Sequence, residues 1–334
     1  MELCHDPATA DLRVCPAMEP PPGYKPMDPD AYTLEPYMTA TTVVCLSLVV
    51  IAVTVRSFTK GFLIKSFSAE DYAFIVATAF FAAFLALMNY GTQNFNSGKH
   101  QWNVSIADVI ELLKNVNLVQ MMYPPCMFFS KLGLLLQIAR IFSDKQRNYI
   151  FWASWTLIVA NGILYLGVFL SFLLACWPRE KIWNDRAPGR CIDTNASMIS
   201  TSALNVVSDF AILILPIWSV LQLRMPVRRK IGVSAVFATG VFSCIAGVLR
   251  MWYTSILFKT PDFSYWISPA GMMCVAELTT VILCGCSPTF PRFARFCAEK
   301  IGAREADTKY SLKRTESPSV PRLISSRDSY SIAA

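Results

Sequence analysis

Four ionisable side chains interrupt runs that are otherwise apolar: Lys131 in MMYPPCMFFSKLGLLLQ, Asp209 in NVVSDFAILILPIWSVLQL, Arg250 in SCIAGVLRMWY and Glu277 in MMCVAELTTVIL. A charge in hydrocarbon costs ~2.5–3.5 kcal/mol on insertion scales, so such groups turn toward the protein interior or water. Two acids and two bases allow two readings, and both can hold at once. They can form a buried network that fixes helix register, or line a pocket that binds a polar group. In the second case Asp209 and Glu277 are candidate catalytic acids for a lipophilic substrate. How close the bases stand then decides whether either carboxyl keeps a transferable proton. At ~1.5 Å per residue, Asp209 and Glu277 fall near mid-bilayer, Arg250 nearer the outer face and Lys131 deeper. The expectation is that Asp209, Glu277 and Arg250 face one interior cavity. Tyr123-Pro124-Pro125 adds to it, because prolines remove backbone donors and open space beside Tyr123 and Lys131.

Other chemistry finds little support. The chain has only two histidines, His5 and His100, and its eleven cysteines include no CxxC pair, which argues against zinc or any other metal. No Walker or GxGxxG motif suggests a nucleotide. Tyr265–Pro288, the last apolar run, has no lysine to carry retinal, so no cofactor is expected. Ala139-Arg140-Ile141 can be read as a receptor contact for a cytoplasmic partner or as an arginine anchored at the interface.

The elements that must position these groups follow from composition. The 334 residues are 54% hydrophobic and 16% charged, with mean hydropathy +0.41. That is too apolar for a soluble chain of this size. Seven apolar runs are long enough to cross a bilayer: Tyr37–Val55, Tyr72–Met88, Val116–Phe142, Tyr149–Cys176, Ser200–Leu223, Ile231–Leu257 and Tyr265–Pro288. They lack the alternation of a membrane barrel and must satisfy their own backbone groups. The expected fold is therefore all-α, a polytopic seven-transmembrane helix bundle. Residues 37–295 form the membrane domain. Residues 1–36 are an acidic, proline-rich, poorly ordered extracellular tail, and residues 296–334 a disordered Ser-rich basic cytoplasmic tail.

Basic residues follow the first, third and fifth runs (Arg56, Lys60, Lys65; Arg140, Lys145, Arg147; Arg224, Arg228, Arg229, Lys230) and predict N-terminus out, C-terminus in. The net charge of +7 then faces anionic lipid and requires no nucleic acid. Cys176 and Cys191 flank an outer loop, where a disulfide is expected. The sequons at Asn103 and Asn195 also fall outside and are candidate glycosylation sites. Cys4 and Cys15 could pair within the tail.

Read in order, a further set of residues resembles the fungal rhodopsin-like integral membrane proteins, a group that includes receptor-like proteins of plant pathogens. The set comprises Glu70-Asp71-Tyr72, Gly98-Lys99-His100, Tyr123, Lys131-Leu132, Arg140-Ile141-Phe142, Cys176-Trp177-Pro178, Trp183 and Cys191-Ile192-Asp193. It continues with Asn205 and Asp209, Leu215-Pro216, Arg228-Arg229-Lys230, Gly240, Arg250, Glu277 and Pro288. The resemblance covers roughly Tyr37 to Arg295. It implies a seven-helix shape without a chromophore, and it makes Asn205 a further pocket candidate beside Tyr123, Lys131, Asp209, Arg250 and Glu277. Two departures stand out: Gly133 where the family has a small hydroxyl, and Gln137-Ile138-Ala139 where it has an aromatic run.

Three function classes remain. The first is a receptor-like protein for a lipophilic small-molecule ligand, acting through a cytoplasmic G-protein subunit or within a secondary-metabolite pathway. The second is a membrane-embedded cyclase or isomerase using Asp209 and Glu277. The third is a metabolite transporter, for which no inverted repeat is visible.

Overall fold

The computed structural model describes residues 12–142, 149–184, 187–222 and 227–301. Among them run seven α-helices: α1 Glu35–Phe58, α2 Ala69–Asn94, α3 Ile106–Phe142, α4 Tyr149–Leu173, α5 Thr194–Gln222, α6 Val227–Lys259 and α7 Phe263–Cys286. Most extend past the apolar runs, because polar turns continue a helix once its ends are held by neighbours. The fourth is a correction. It stops at Leu173, and Cys176 belongs to a short strand, β1 Cys176–Trp177, paired antiparallel with β2 Arg190–Cys191.

Six of the helices are long and apolar enough to cross a membrane. The exception is α3, whose apolar run is diluted by Gln120, Pro124, Pro125, Lys131 and Gln137. It packs against α2, α4 and α7, and Lys131 and Gln137 are buried. Its polar groups therefore meet protein. The outward faces show the reverse pattern: Val43, Val44 and Ile51 of α1, Ile163 and Leu166 of α4, and Val207 and Ile214 of α5 are exposed apolar side chains, the surface expected where the solvent is lipid.

Phe74 of α2 is fully buried in the core cluster. It sits where a Cβ on Gly133 would lie 2.9 Å from its ring, and where one on Gly285 would overlap it. Gly133, the departure noted above, is thus the space that this ring occupies.

At one end of the bundle, Arg56 closes α1. Its Nε donates to Asp71 Oδ1 (2.8 Å), and its Nη1 donates to Gln137 Oε1 and the Gly285 carbonyl (2.6 Å each). Asp71 also accepts from the Ser68 amide at the start of α2 (3.0 Å), the reciprocal half of a capping box. Next to it, Glu70 receives Lys60 and Arg140 (3.1 Å each). Arg140 donates to the hydroxyls of Ser66 and Ser68 as well. Arg140 is tied to the entrance of α2 while its side chain stays about half exposed.

The opposite end is capped by chain that composition marks as a loose tail. Ala17 N donates to Val104 O (2.9 Å), Ile106 N to Cys15 O (3.1 Å) and Met27 N to Trp102 O (3.2 Å). Cys15 is buried and disulfide-bonded, while Cys4 lies outside the described residues. The expectation of poor order fails for residues 12–34, because backbone pairing with the α2–α3 loop supplies what hydrophobicity does not. Gly98 makes this possible: its φ of +97° lets its amide reach Ser264 O (2.9 Å) while its carbonyl accepts from Leu34 N (3.1 Å). His100 is stacked between Trp102 and Tyr265, with Nδ1 2.5 Å from Asp262 Oδ2.

Residues 290–301 are helical, so helix extends past the expected start of the tail at 296. The Ser-rich segment beyond lies outside the described residues.

Candidate functional site

The four intramembrane charges meet as two ion pairs. Lys131 Nζ of α3 lies 2.7 Å from Asp209 Oδ1 of α5, and Arg250 Nε of α6 lies 2.8 Å from Glu277 Oε2 of α7. The second contact is electrostatic, since its angle falls short of a hydrogen bond. Single charges facing lipid would be costly, whereas pairs of opposite sign offset each other's desolvation when their remaining polar atoms are satisfied.

Asn205 supplies much of that satisfaction and joins the pairs. Its Oδ1 accepts from Lys131 Nζ (2.9 Å) and from the Tyr165 hydroxyl. Its Nδ2 donates to Glu277 Oε1 (2.5 Å) and reaches Asp209 Oδ2 (3.5 Å). Tyr123 completes the set, its hydroxyl donating to Glu277 Oε2 (3.3 Å) while the Arg250 guanidinium lies 5.0 Å from its ring centroid. Ser208 accepts from Lys131 (3.2 Å) and donates to Asn161 Oδ1 (2.6 Å). One polar network therefore ties α3, α4, α5, α6 and α7 together. Gly247 lets α6 come this close, because a Cβ there would lie 2.9 Å from Glu277 Oε1.

The six pocket candidates from the sequence are thus neighbours, but among the described residues neither of two cavities takes them all. A cavity of about 120 Å³ extends toward the capped end of the bundle, with Met38, Phe84, Met88, Phe172 and Met198 among its walls. Arg250 and Tyr123 are the candidates that reach it. Lys131 and Asp209 line a smaller space of about 30 Å³ beside Ser243 and Cys284. Asn205 and Glu277 line neither. The reason is geometric: the ion pairs close across the bundle and divide its interior. The large cavity lies beside Val119, Gln120 and Tyr123, where Pro124 and Pro125 withhold the amides that would cap the carbonyls of Gln120 and Met121.

Cys176 and Cys191 form the disulfide expected between the strands of the α4–α5 loop. In the same loop Arg179 donates to Asn117 Oδ1 of α3 (3.0 Å). Asn103 Oδ1 accepts from the Asp28 amide (3.2 Å), so the first sequon lies beneath the N-terminal segment. The side chain of Asn195 lies outside the described part. Among the described residues no group of His, Cys, Asp and Glu is gathered as metal ligands.

Sequence reasoning missed Tyr165 as a member of this network, and Arg56 with Gln137 as the separate buried cluster at the other end of the bundle. Tyr165 carries no charge to flag it, and Arg56 read as a loop residue setting orientation. Gln137 had a signal, as one of the departures from the family pattern.

Comparison with known proteins bears on residues 55–295, which match the fungal rhodopsin domain family. A SAT4 family membrane protein of Emericella nidulans is 35% identical over 211 residues, 63% of this chain and 53% of that protein. Fugralins biosynthesis cluster protein 2 of Gibberella zeae is 24% identical across 86% of the chain and 72% of its own length. Receptor GIN3 of Arthrobotrys oligospora is 29% identical across 54% of the chain and 43% of its own length. The chain therefore spans about half the length of the first of these relatives and less than half of the receptor. No solved structure matches it significantly.

Proposed function

Since the chain belongs to the fungal rhodopsin domain family and is a multi-pass integral membrane protein, we propose that it is a receptor-like sensor of a lipophilic small molecule. In this reading all seven helices cross the bilayer, with α3 shielded by α2, α4 and α7. The N-terminus is outside and the C-terminus inside, as the basic residues around Arg56 and Arg140 favour. The large cavity is the ligand site, and it opens toward the outer face. No retinal is required: α7 from Phe263 to Cys286 has no lysine, and the α3 lysine is held by Asp209.

The observation that carries this reading is that Arg250 and Tyr123 belong at once to the cavity wall and to the ionic network. A ligand that moves either residue acts on Glu277, and through Asn205 on Lys131 and Asp209. The far end of α3 carries Arg140, bound to Ser66, Ser68 and Glu70. Release of that contact presents a basic surface to a cytoplasmic partner, for which a G-protein subunit is the reading retained from the sequence. Differential affinity of the ligand for two such states is what would drive the change.

The cyclase reading has less support. Asp209 is paired with Lys131, Glu277 lies against Arg250, and neither lines the large cavity. A second reading is favoured by the relatives named for biosynthetic clusters: the protein binds a metabolite of such a pathway and acts within it. A deletion strain separates the two. The sensor reading expects altered signalling output with the metabolite profile complete. Accumulation of one unconverted intermediate with normal signalling overturns it.

A further inference from the structure

We infer that the large cavity takes an uncharged, oxygen-bearing lipophile, and that the Arg250 guanidinium anchors its carbonyl oxygen. This rests on the sensor reading for the choice of cavity and adds the class of ligand.

The walls are mainly apolar, and the three methionines among them are adaptable surface for a hydrocarbon body. Most polar wall residues are committed, with Asn115, a neutral amide that is 6% exposed, the exception beside Arg250. Thr92 donates to the Met88 carbonyl (3.0 Å), Thr254 to the Arg250 carbonyl (2.8 Å), Ser202 to the Met198 carbonyl (2.8 Å) and Gln120 to Met198 Sδ (3.3 Å). Ser268 and Ser97 bond to each other (3.0 Å). Arg250 differs. It lines the cavity and is 7% exposed, and neither Nε nor Nη2 of its guanidinium makes a hydrogen bond among the described residues, the Glu277 carboxylate being an electrostatic contact. A buried guanidinium with donors left unmade carries a penalty, and a ligand acceptor hydrogen-bonded to that group from the cavity reduces it.

The class follows from charge. Lys131, Arg250, Asp209 and Glu277 already balance two against two. A carboxylate ligand would bring a third negative charge into a region of low dielectric, next to Glu277. A ketone, ester or aldehyde oxygen accepts a hydrogen bond from the guanidinium and leaves that balance intact. No bond is made or broken.

The test uses the full chain in lipid nanodiscs and undecan-2-one labelled with carbon-13 at the carbonyl. Wild type is expected to show a second carbonyl resonance, downfield of the lipid-dissolved ketone because of the hydrogen bond, and unlabelled ketone should displace it. Two variants separate anchor from space. Arg250→Lys keeps a cation for Glu277 but loses the planar guanidinium, and is expected to weaken binding about tenfold, roughly the value of one such bond. Val119→Phe fills the cavity without touching Arg250 and is expected to abolish the resonance. Both variants are checked by melting. Absence of a bound resonance in folded wild type, or one unchanged in Arg250→Lys, overturns the anchor. Displacement by undecanoate at lower concentration than by the ketone overturns the uncharged class. Binding as expected without any signalling output would sink the sensor reading and leave this site standing.

Discussion

Asn205 Nδ2 lies 2.5 Å from Glu277 Oε1, and that contact makes two separate ion pairs into one network. A carboxamide suits the position because it presents a donor to the carboxylates and an acceptor to Lys131 and Tyr165 from one planar group. Leucine has neither. Asn205→Leu is expected to leave Lys131 and Glu277 short of partners in a site that is fully buried, at about 1–3 kcal/mol for each group left unmade. Tyr165→Phe removes a single hydroxyl and should cost about 1 kcal/mol. Detergent melting of the two variants checks the ranking. A Tyr165→Phe protein less stable than Asn205→Leu would show that the network does not centre on the amide.

Gly285→Ala is expected to destabilise, since a Cβ there would overlap the Phe74 ring. Overpacking of this kind typically costs about 1–3 kcal/mol. The carbonyl of Gly285 itself also accepts from Arg56 (2.6 Å), so any backbone shift that relieves the clash disturbs that bond. Gly285→Ala combined with Phe74→Leu should recover part of the loss. Melting temperatures of the single and double variants decide it, and equal values would mean that the ring moves freely.

The apolar runs made the helices legible, because length and hydrophobicity in lipid leave few alternatives to helix. The four charges were legible as partners because none is stable alone at that depth. Three things were not legible, each for a physical reason. Residues 12–34 read as loose because their order comes from backbone bonds to the α2–α3 loop, which leave no trace in composition. Arg56 read as an interfacial residue because nothing local says that Asp71, Gln137 and Gly285 come from three other helices to enclose it. The division of the interior into two cavities depends on which acid meets which base. Depth alone permits Asp209 to pair with Arg250, whereas the structure pairs it with Lys131.

The α4–α5 hairpin is held by Cys176–Cys191, partners with a sequence separation of 15. Closing a loop of that length contributes about 3 kcal/mol in the chain-entropy model. Without reduction, both cysteines should resist alkylation in mass spectrometry. Cys176→Ser is expected to lower the melting temperature and to loosen Arg179 from Asn117. Free thiols at both positions in the unreduced protein would contradict the structure.

Orientation is tested by fusing a reporter after Ala334 and an epitope at Met1. The sensor reading expects the first to be cytoplasmic and the second to be cut by protease added outside right-side-out vesicles. The capped end of the bundle, with its disulfide, would then face the oxidising side. A protected N-terminus would reverse the assignment of the cavity to the outer face.

Asp209 offers the sharpest separation of architecture from function. Its Oδ1 is 2.7 Å from Lys131 Nζ, and the pair's side chains are 5% and 1% exposed. Asp209→Leu leaves the ammonium buried without its anion and is expected to cost about 3–5 kcal/mol. Replacing both partners, as in Asp209→Leu with Lys131→Met, removes the orphaned charge. It should recover most of that loss, because a buried pair exchanged for apolar groups is often neutral. Asp209→Asn is the functional probe: the amide keeps the shape and one acceptor for Lys131, so the fold should survive with a smaller loss. What it removes is the charge that balances Lys131 within the network. If that balance sets the resting state of the helices, the Asn variant should melt close to wild type, bind the cavity ligand and give an altered signalling output. Melting, ligand binding and output are therefore measured on the same three variants. An Asn variant normal in all three would reduce Asp209 to a hydrogen-bonding strut, and the network could then no longer be the link between cavity and cytoplasmic end.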